Sequence, residues 1–223
     1  MGVEEISERG ATARPTPLAP SAYPAIKRLI DIVGAAILLV VLSPVFLIIG
    51  IAIALDTGLP VIYRCQRLAR SGHPMVILKF RTMRNGSHQH LEGLLSNDEE
   101  RRLEYALNRK LRNDPRQTRV GPILRRTSLD ELPQLWNVLT GQMSLVGPRP
   151  YFIHELDGRP ERSEILGLRP GLTGLWQVNG RSDRTFEDRI ALDLDYAARR
   201  GLWLDLQILI QTPGAVLTGR GAY

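Results

Sequence analysis

The strongest constraint on this chain is an uninterrupted apolar stretch, residues 32–55, which contains no charged side chain. Its 24 residues are enough for a helix that crosses a bilayer. Ser43-Pro44 lies at its centre, and a proline inside a helix removes a backbone hydrogen bond and bends the axis. Each arm of 11 residues is about 17 Å long, roughly half of a ~30 Å hydrocarbon core. The stretch therefore predicts a membrane helix that is either re-entrant or singly spanning.

Basic residues on both sides of the stretch favour the re-entrant form. Lys27 and Arg28 precede it, and Arg64 and Arg67 follow it. Because basic residues favour the cytoplasmic side of a membrane, cations at both ends are expected when both ends face the cytoplasm. We also expect the Ser43 hydroxyl to satisfy a carbonyl that the proline leaves free. A single spanning helix with a tolerated kink is the alternative, whereas a cleaved signal peptide fits the length and position poorly.

Composition divides the chain into three parts. Residues 1–24 are proline-rich and show no periodicity, so we predict a disordered tail. Residues 25–56 form the predicted re-entrant membrane helix, kinked at Ser43-Pro44, and residues 57–223 are long enough for one catalytic domain. Within that domain, short strands and amphipathic helices favour a helix-dominated α+β fold.

Two predicted helices illustrate this pattern. Residues 98–112 place Leu103, Leu107 and Leu111 on one face, and the pattern predicts a helix that ends before a proline. Residues 202–210 are apolar with few polar breaks and include Trp203. That helix lies either in the membrane interface, as an amphipathic interfacial helix, or in the protein core.

Two adjacent carboxylates, Asp130 and Glu131, are the first candidates for chemistry. The helix after them begins either at Ser128, in a capping box with Glu131, or at Asp130, which leaves Pro133 in the first turn. In both registers the carboxylates lie at a helix N-terminus, where backbone donors stabilise negative charge. Capping explains one carboxylate. A pair among basic residues also fits phosphate chemistry, in which one carboxylate attacks phosphorus and its neighbour holds a divalent cation.

The basic balance indicates an anionic partner. The chain has 29 Lys and Arg against 23 Asp and Glu, a net charge of +6, which favours nucleic acid, a lipid surface or a phosphorylated substrate. Aromatic residues make up only 6% of the chain, so we expect no nucleic-acid partner. Lys79 and Arg81 alternate with apolar residues and predict one basic strand face, for which a solvated strand edge is the alternative. The chain lacks a P-loop, and Cys65 is its single cysteine, which excludes an intrachain disulfide.

Seven motifs resemble, in this order, those of the bacterial sugar transferases, the monotopic phosphoglycosyl transferases. They are Ser43-Pro44 within the apolar run, Lys79-Phe80-Arg81-Thr82-Met83, Asp114-Pro115-Arg116 with Arg119-Val120-Gly121, Ser128-Leu129-Asp130-Glu131-Leu132-Pro133-Gln134, Gly147-Pro148-Arg149-Pro150, Arg169-Pro170-Gly171-Leu172-Thr173-Gly174 and Gln177-Val178-Asn179-Gly180-Arg181. The resemblance covers residues 25–223, and the last five residues are most similar to the short exopolysaccharide-type members.

The resemblance implies an activity: transfer of hexose-1-phosphate from a UDP-sugar, UDP-galactose or UDP-glucose, to undecaprenyl phosphate, the first membrane step of exopolysaccharide assembly. It implies that Asp130 is the nucleophile, which forms a covalent phosphosugar intermediate, and that Glu131, together with Asp130, holds Mg²⁺. Four cations are implied to bind phosphates or the nucleotide: Lys79, Arg125, Arg149 and Arg181.

The resemblance also implies a place in the cell and a set of partners. It strengthens the re-entrant topology and places the catalytic domain on the cytoplasmic face of the bacterial inner membrane. The implied partners are the nucleotide sugar, polyprenyl phosphate and membrane lipid, and a homodimer is left open. Two other functions are kept as alternatives: a membrane-anchored scaffold that binds anionic lipid, and a glycosyltransferase that passes the sugar without its phosphate. Neither the sugar nor the prenol length follows from the residues.

Overall fold

A computed structural model describes residues 22–84, 86–108, 111, 114–219 and 221 of the chain. Helices predominate, and two small two-stranded sheets complete an α+β fold, as predicted. Most of the predicted tail, residues 1–21, lies outside the described residues, and the first helix begins at Tyr23.

The elements of the described residues follow one another in this order. The helices are α1 (Tyr23–Val41), α2 (Ser43–Thr57), α3 (Ser87–Asn97), α4 (Glu99–Asn108), α5 (Gly121–Arg126), α6 (Gln134–Leu139), α7 (Arg162–Leu166), α8 (Leu175–Val178), α9 (Phe186–Arg199) and α10 (Leu202–Thr218). The strands are β1 (Ile62–Leu68), β2 (Pro74–Phe80), β3 (Ser144–Val146) and β4 (Gly171–Thr173). Single turns of 3₁₀-helix occur at Arg70–Gly72, Leu129–Glu131 and Arg181–Asp183.

The apolar stretch folds as two helices, α1 and α2, bent by 60° at a break of one residue, Leu42. Among the described residues, no single helix is long and apolar enough to cross a membrane, but this bent pair meets that criterion together. Ser43 Oγ donates to Val40 O at 2.8 Å, as expected for a hydroxyl that satisfies a freed carbonyl. Pro44 has no N–H to donate to Val40 O, so α1 does not continue through it, and it lies instead in the first turn of α2, where no helical N–H is required. The predicted kink is therefore confirmed.

The α1–α2 pair has one buried face and a broad exposed apolar face. Ala35, Ile49 and Ile53 are buried against the rest of the protein. The exposed face consists of large aliphatic side chains, among them Leu29, Val33, Ile37, Val40, Val41, Leu47, Ile48, Ile51 and Leu55. A contiguous apolar surface of this kind is typical of contact with lipid or with another protein.

The β1–β2 hairpin and α6 form a frame for the middle of the chain. β1 pairs with β2 in antiparallel register, from Ile62 opposite Phe80 to Leu68 opposite Pro74. The buried side chain of Asn137, on α6, covers the free edge of β2: Nδ2 donates to Val76 O at 2.8 Å and Oδ1 accepts from Leu78 N at 3.1 Å. Because both edge groups are satisfied by one amide, α6 is held at a defined position along β2.

The parallel pairing of β3 with β4 brings two glycine-rich motifs together, residues 147–150 and 169–174. A Cβ at Gly174 would lie 2.2 Å from the carbonyl oxygen of Gly147, and one at Gly171 would lie 2.1 Å from its nitrogen. Such distances exclude any side chain. The glycines therefore permit the backbones to approach closely enough to place Arg149 beside the acidic pair.

The main core lies between the hairpin, α6, β3, α9 and α10. Its buried members include Met75, Ile77, Leu135, Val138, Met143, Leu145, Val146, Tyr196, Leu204 and Ile208. Ala35 of α1 belongs to the same cluster. The first half of the bent pair is thus packed onto this core.

Two helices differ from their predicted extents. α4 begins after Asp98, whose Oδ1 accepts from Arg101 N at 3.0 Å, but it ends at Asn108, and Leu111 is buried outside any helix. Residues 109, 110, 112 and 113 of the predicted helix lie outside the described residues. α10 continues to Thr218, well past the predicted residue 210.

α10 has two contrasting faces. Leu204 and Ile208 are buried in the core, whereas Trp203, Ile210 and Leu217 are at least 70% exposed. The core prediction is confirmed for the first face. The exposed face keeps the amphipathic character that the interfacial alternative requires.

Candidate active site

Asp130 and Glu131 lie on the single turn of 3₁₀-helix before α6. Both predicted capping registers are wrong: Ser128 has a left-handed backbone with φ +56° and no side-chain cap bond, and α6 begins only after Pro133. Because proline has no N–H to donate, the turn and α6 do not join into one regular helix. Glu131 is therefore held by side chains from other segments, and among the described residues neither carboxylate accepts from the free donors of a helix N-terminus.

Glu131 forms a tight cluster with two cations. Lys79 Nζ donates to Glu131 Oε1 at 2.8 Å, and Arg149 Nη2 donates to the same oxygen at 3.0 Å. Burial opposes ionisation of Glu131, but the positive charges of Arg149 and Lys79 outweigh it and hold the pKa of this carboxyl well below its usual range. Glu131 is consequently an anion at neutral pH.

The Asp130 carboxyl, in contrast to that of Glu131, is buried without a close partner. It is 8% exposed, its nearest ion-pair partner is Lys79 Nζ at 3.8 Å, and no hydrogen bond to its carboxylate is found among the described residues. Burial raises the pKa of Asp130, and the charge of Lys79 opposes this rise. A poorly solvated carboxylate without hydrogen bonds is more basic and more nucleophilic than one in water. Neighbouring carboxyls whose pKa values are pushed apart are typical of groups with different chemical roles.

Arg149 contacts residues that the sequence patterns did not identify, and these contacts hold it in place. Its guanidinium carbon lies 5.2 Å from the ring centroid of Trp176. Arg189 Nη2 donates to the Arg149 carbonyl at 3.3 Å, and the Arg189 guanidinium lies 3.8 Å from the ring centroid of Tyr151. Arg189 is buried on α9. No local pattern marks it, because its partners are 38 and 40 residues away along the chain.

The other two predicted cations border the carboxylates without contacting them. Arg125 Nε donates to Thr82 Oγ1 at 3.1 Å, and burial lowers the pKa of Arg125 while the charge of Asp130 opposes that effect. Arg181 Nη1 donates to Ser128 Oγ at 3.0 Å. Both Ser128 and Arg181 have positive φ angles, and such unfavourable backbone conformations are concentrated at functional sites.

Lys79 and Arg81 do not lie on one face, although they are two residues apart in the sequence. Lys79 points to the acidic pair, so the alternative of a solvated strand edge is wrong for this residue. Arg81 follows the last residue of β2 and is buried at the end of α2, where Nη2 donates to Thr57 Oγ1 at 2.6 Å and to Gly58 O. The strand ends between them, and their side chains diverge.

The acidic pair is compatible with magnesium. The described residues contain no group of three or more His, Cys, Asp or Glu side chains able to form a complete protein site. Mg²⁺, however, is commonly bound by one or two carboxylates together with substrate phosphates. Asp130 is free of hydrogen bonds to described residues, and both hydrogen bonds found for Glu131 use Oε1. Each residue therefore retains carboxylate oxygen that can serve as a hard ligand.

Comparison with known proteins identifies the family of the chain. Residues 22–219 match the sequence profile described as "Bacterial sugar transferase". Over 199 residues the chain is 45% identical to the UDP-galactose-lipid carrier transferase of Erwinia amylovora and 44% identical to the undecaprenyl-phosphate galactose phosphotransferase of Salmonella typhimurium; it covers 42% of the length of each. Over 198 residues it is 41% identical to the exopolysaccharide production protein ExoY of Rhizobium meliloti and covers 88% of that protein. The chain belongs to the bacterial sugar transferase family.

Proposed function

We propose that this protein transfers hexose-1-phosphate from a UDP-sugar, UDP-galactose or UDP-glucose, to undecaprenyl phosphate through a covalent phosphosugar on Asp130. The observation that carries the proposal is the desolvated Asp130 carboxylate, free of hydrogen bonds to described residues, beside a Glu131 that is neutralised by Lys79 and Arg149. The names of the Erwinia and Salmonella relatives, which include UDP-galactose, a lipid carrier and undecaprenyl phosphate, support the same reaction for this chain.

The first half-reaction forms the covalent intermediate. A carboxylate oxygen of Asp130 attacks the phosphorus that bears the hexose, and a C–O–P link forms. The bond from this phosphorus to the bridging oxygen breaks, and that oxygen keeps the electron pair as part of the released UMP. Arg149 and Lys79 lie beside the carboxylates, where their charges oppose the negative charge that builds up on the phosphate oxygens.

The second half-reaction transfers the phosphosugar to lipid. A phosphate oxygen of undecaprenyl phosphate attacks the same phosphorus, and Asp130 leaves as a carboxylate. Because one phosphoanhydride replaces another, the protein's task is to position groups and neutralise charge. Asp130 and Glu131 would hold Mg²⁺ together with the donor phosphates, and the ion supplies further neutralisation of the phosphate oxygens.

The reaction is tested by incubating the purified protein with UDP-galactose or UDP-glucose and Mg²⁺ in the absence of lipid acceptor. We expect release of UMP up to one equivalent and a hexose-phosphate adduct on Asp130 by mass spectrometry. Addition of undecaprenyl phosphate should then allow continuous turnover. Release of UDP would identify a direct glycosyltransferase, and lipid binding without any nucleotide release would identify a scaffold.

Magnesium is tested in the same assay. Chelation with EDTA is expected to lower the rate of UMP release by roughly 10²-fold or more, because charge neutralisation by a metal contributes several kcal/mol. Added Mg²⁺ should restore the rate. An unchanged rate after exhaustive chelation would remove the metal from the proposal while leaving the nucleophile in place.

We propose further that the α1–α2 pair enters the membrane and returns to the cytoplasmic face of the bacterial inner membrane. The 60° bend, the exposed apolar face of the pair and the basic residues at both ends support this topology. The exposed face of α10, with Trp203 and Ile210, suits the membrane interface. The nucleotide sugar and the head of undecaprenyl phosphate would then meet at one surface.

The re-entrant topology predicts that both chain termini lie on the same side of the membrane. Epitope tags at the N- and C-terminus should both resist added protease in intact spheroplasts and both be digested in inverted membrane vesicles. A known cytoplasmic protein, which must resist the protease in intact spheroplasts, serves as the control for spheroplast integrity. Digestion of the N-terminal tag alone in spheroplasts would instead indicate a spanning helix.

A further inference from the structure

We infer that Arg28 and Asp31, on the inner face of α1, are positioning residues that set the contact between Glu131 and Arg149. The membrane helix would then align the catalytic machinery in addition to anchoring it. The inference deepens the proposed function and rests on it for its kinetic readout.

Arg28 holds the segment that carries Glu131. Its Nη1 donates to Val138 O at 2.7 Å, and its Nη2 donates to Leu139 O at 2.8 Å. These carbonyls belong to the last turn of α6, where the negative end of the helix dipole favours a cation. Val138 O also accepts from Gly141 N at 3.0 Å, so Arg28 adds a second hydrogen bond to that carbonyl. Since α6 begins three residues after Glu131, this bidentate contact fixes the distal end of the same compact segment.

Asp31 holds the segment that carries Arg149. Its Oδ1 accepts hydrogen bonds from Leu145 N at 2.8 Å and from Ser144 Oγ at 3.0 Å. Ser144 and Leu145 belong to β3, which ends three residues before Arg149. Asp31 is 2% exposed, and a carboxylate is costly at a buried position unless it is hydrogen-bonded. The two donors of β3 provide those bonds.

The two residues lie on one face of a single rigid element. Positions three apart in a helix are neighbours on its surface, so Arg28 and Asp31 form one short bracket. One end of this bracket holds α6 and the other holds β3. The relative position of α6 and β3 in turn sets the 3.0 Å contact between Arg149 Nη2 and Glu131 Oε1. Displacement of reacting groups by about 1 Å is enough to slow catalysis by up to ~10²-fold.

The test compares Asp31→Ala with Asp31→Asn and a matched control, Lys27→Gln. Lys27 precedes Arg28 on the same helix, but its ammonium pairs with Asp205 of α10, which carries none of the proposed catalytic residues. The measurement is the single-turnover rate constant of UMP release at saturating UDP-galactose with Mg²⁺. We expect Asp31→Ala to be roughly 10- to 100-fold slower at unchanged half-saturation. Asp31→Asn, whose amide oxygen still accepts both bonds, should stay within about threefold, and Lys27→Gln within about twofold.

A double-mutant cycle separates positioning from a general structural role. If Asp31 acts through Arg149, adding Asp31→Ala to Arg149→Ala should slow the reaction by no more than about twofold. A merely structural role would slow both backgrounds by the same factor, and that result would overturn the inference. Should Asp31→Ala fail to fold, Arg28→Lys, which keeps the charge but can bond only one of the two carbonyls, replaces it in the same cycle.

Hydrogen exchange of backbone amides tests the inference by a measurement that does not depend on enzymatic activity. Backbone amides of residues 145–147 and 149 are expected to exchange faster in Asp31→Ala than in the wild-type protein, and at the wild-type rate in Lys27→Gln. If the wild-type protein releases no UMP, the proposed function fails. The exchange measurement still tests whether Asp31 holds the segment that carries Arg149. Unchanged exchange in Asp31→Ala would overturn the positioning role whatever the activity.

Discussion

Replacing Asp130 with asparagine is expected to abolish formation of the phosphosugar adduct and to slow UMP release by roughly 10⁴-fold or more. A neutral amide oxygen is a far weaker nucleophile than the anionic carboxylate that attacks phosphorus in the proposed mechanism. The measurements are intact-protein mass and UMP release with UDP-galactose and Mg²⁺. Normal turnover by the Asp130→Asn protein would contradict the covalent mechanism.

The same variant should fold at least as well as the wild-type protein. Burial raises the pKa of Asp130, which means that the fold tolerates the neutral form better than the charged form. The neutral amide removes that unfavourable term at neutral pH, so the midpoint of thermal unfolding should stay equal or rise. Loss of activity with retained stability is typical of a catalytic group, since functional sites often reduce stability.

Arg149→Ala is expected to give the second-largest effect, a fall in the rate of UMP release of roughly 10²- to 10³-fold. In the proposed mechanism, Arg149 is one of the cations that oppose the charge of the reacting phosphates. The variant also leaves Glu131 with Lys79 as its sole hydrogen-bonding partner among the described residues. We also expect a loss of about 1–3 kcal/mol in the free energy of unfolding, because a half-buried carboxylate loses a charged donor. Single-turnover kinetics and chemical denaturation measure the two effects.

Arg159→Ala provides the matched control. Arg159 pairs with Glu187 at 2.6 Å on the surface, where an ion pair contributes little to stability and lies outside the proposed site. The rate of UMP release by Arg159→Ala should equal that of the wild-type protein. A role for Arg149 in the chemistry would be excluded if Arg149→Ala released UMP at the wild-type rate. It would also be excluded if Arg149→Ala and Arg159→Ala lost the same fraction of that rate.

The stability loss of Arg149→Ala should depend on pH in a defined direction. The pKa of Glu131 is depressed in the folded protein by Arg149 and Lys79, in spite of burial. A depressed folded pKa stabilises the fold above the unfolded pKa of about 4.3, and this contribution is lost as the pH falls below that value. The difference in unfolding free energy between Arg149→Ala and the wild-type protein should therefore narrow as the pH falls below about 4.

Local patterns predicted the features that depend on neighbouring residues. The bend at Ser43-Pro44 follows from a missing backbone donor, and the Ser43 hydrogen bond to Val40 lies within one turn. The helix-dominated α+β class was predictable for the same reason, because it follows from the local periodicity of apolar residues. Where the local signals conflicted, as around Pro133, the predicted capping registers were wrong.

The arrangement of the site depends on contacts that no local pattern contains. In the sequence, Asp31 is one charged residue at the edge of an apolar run. The Ser144 hydroxyl that donates to it is 113 residues away along the chain. Asn137 aligns α6 with β2 across 61 residues. The residue types around Asp130 predict phosphate chemistry, because composition and spacing indicate what a segment can bind. Which carboxylate is paired and which is left free of hydrogen bonds follows from packing, because burial and ion pairing arise only when distant segments meet.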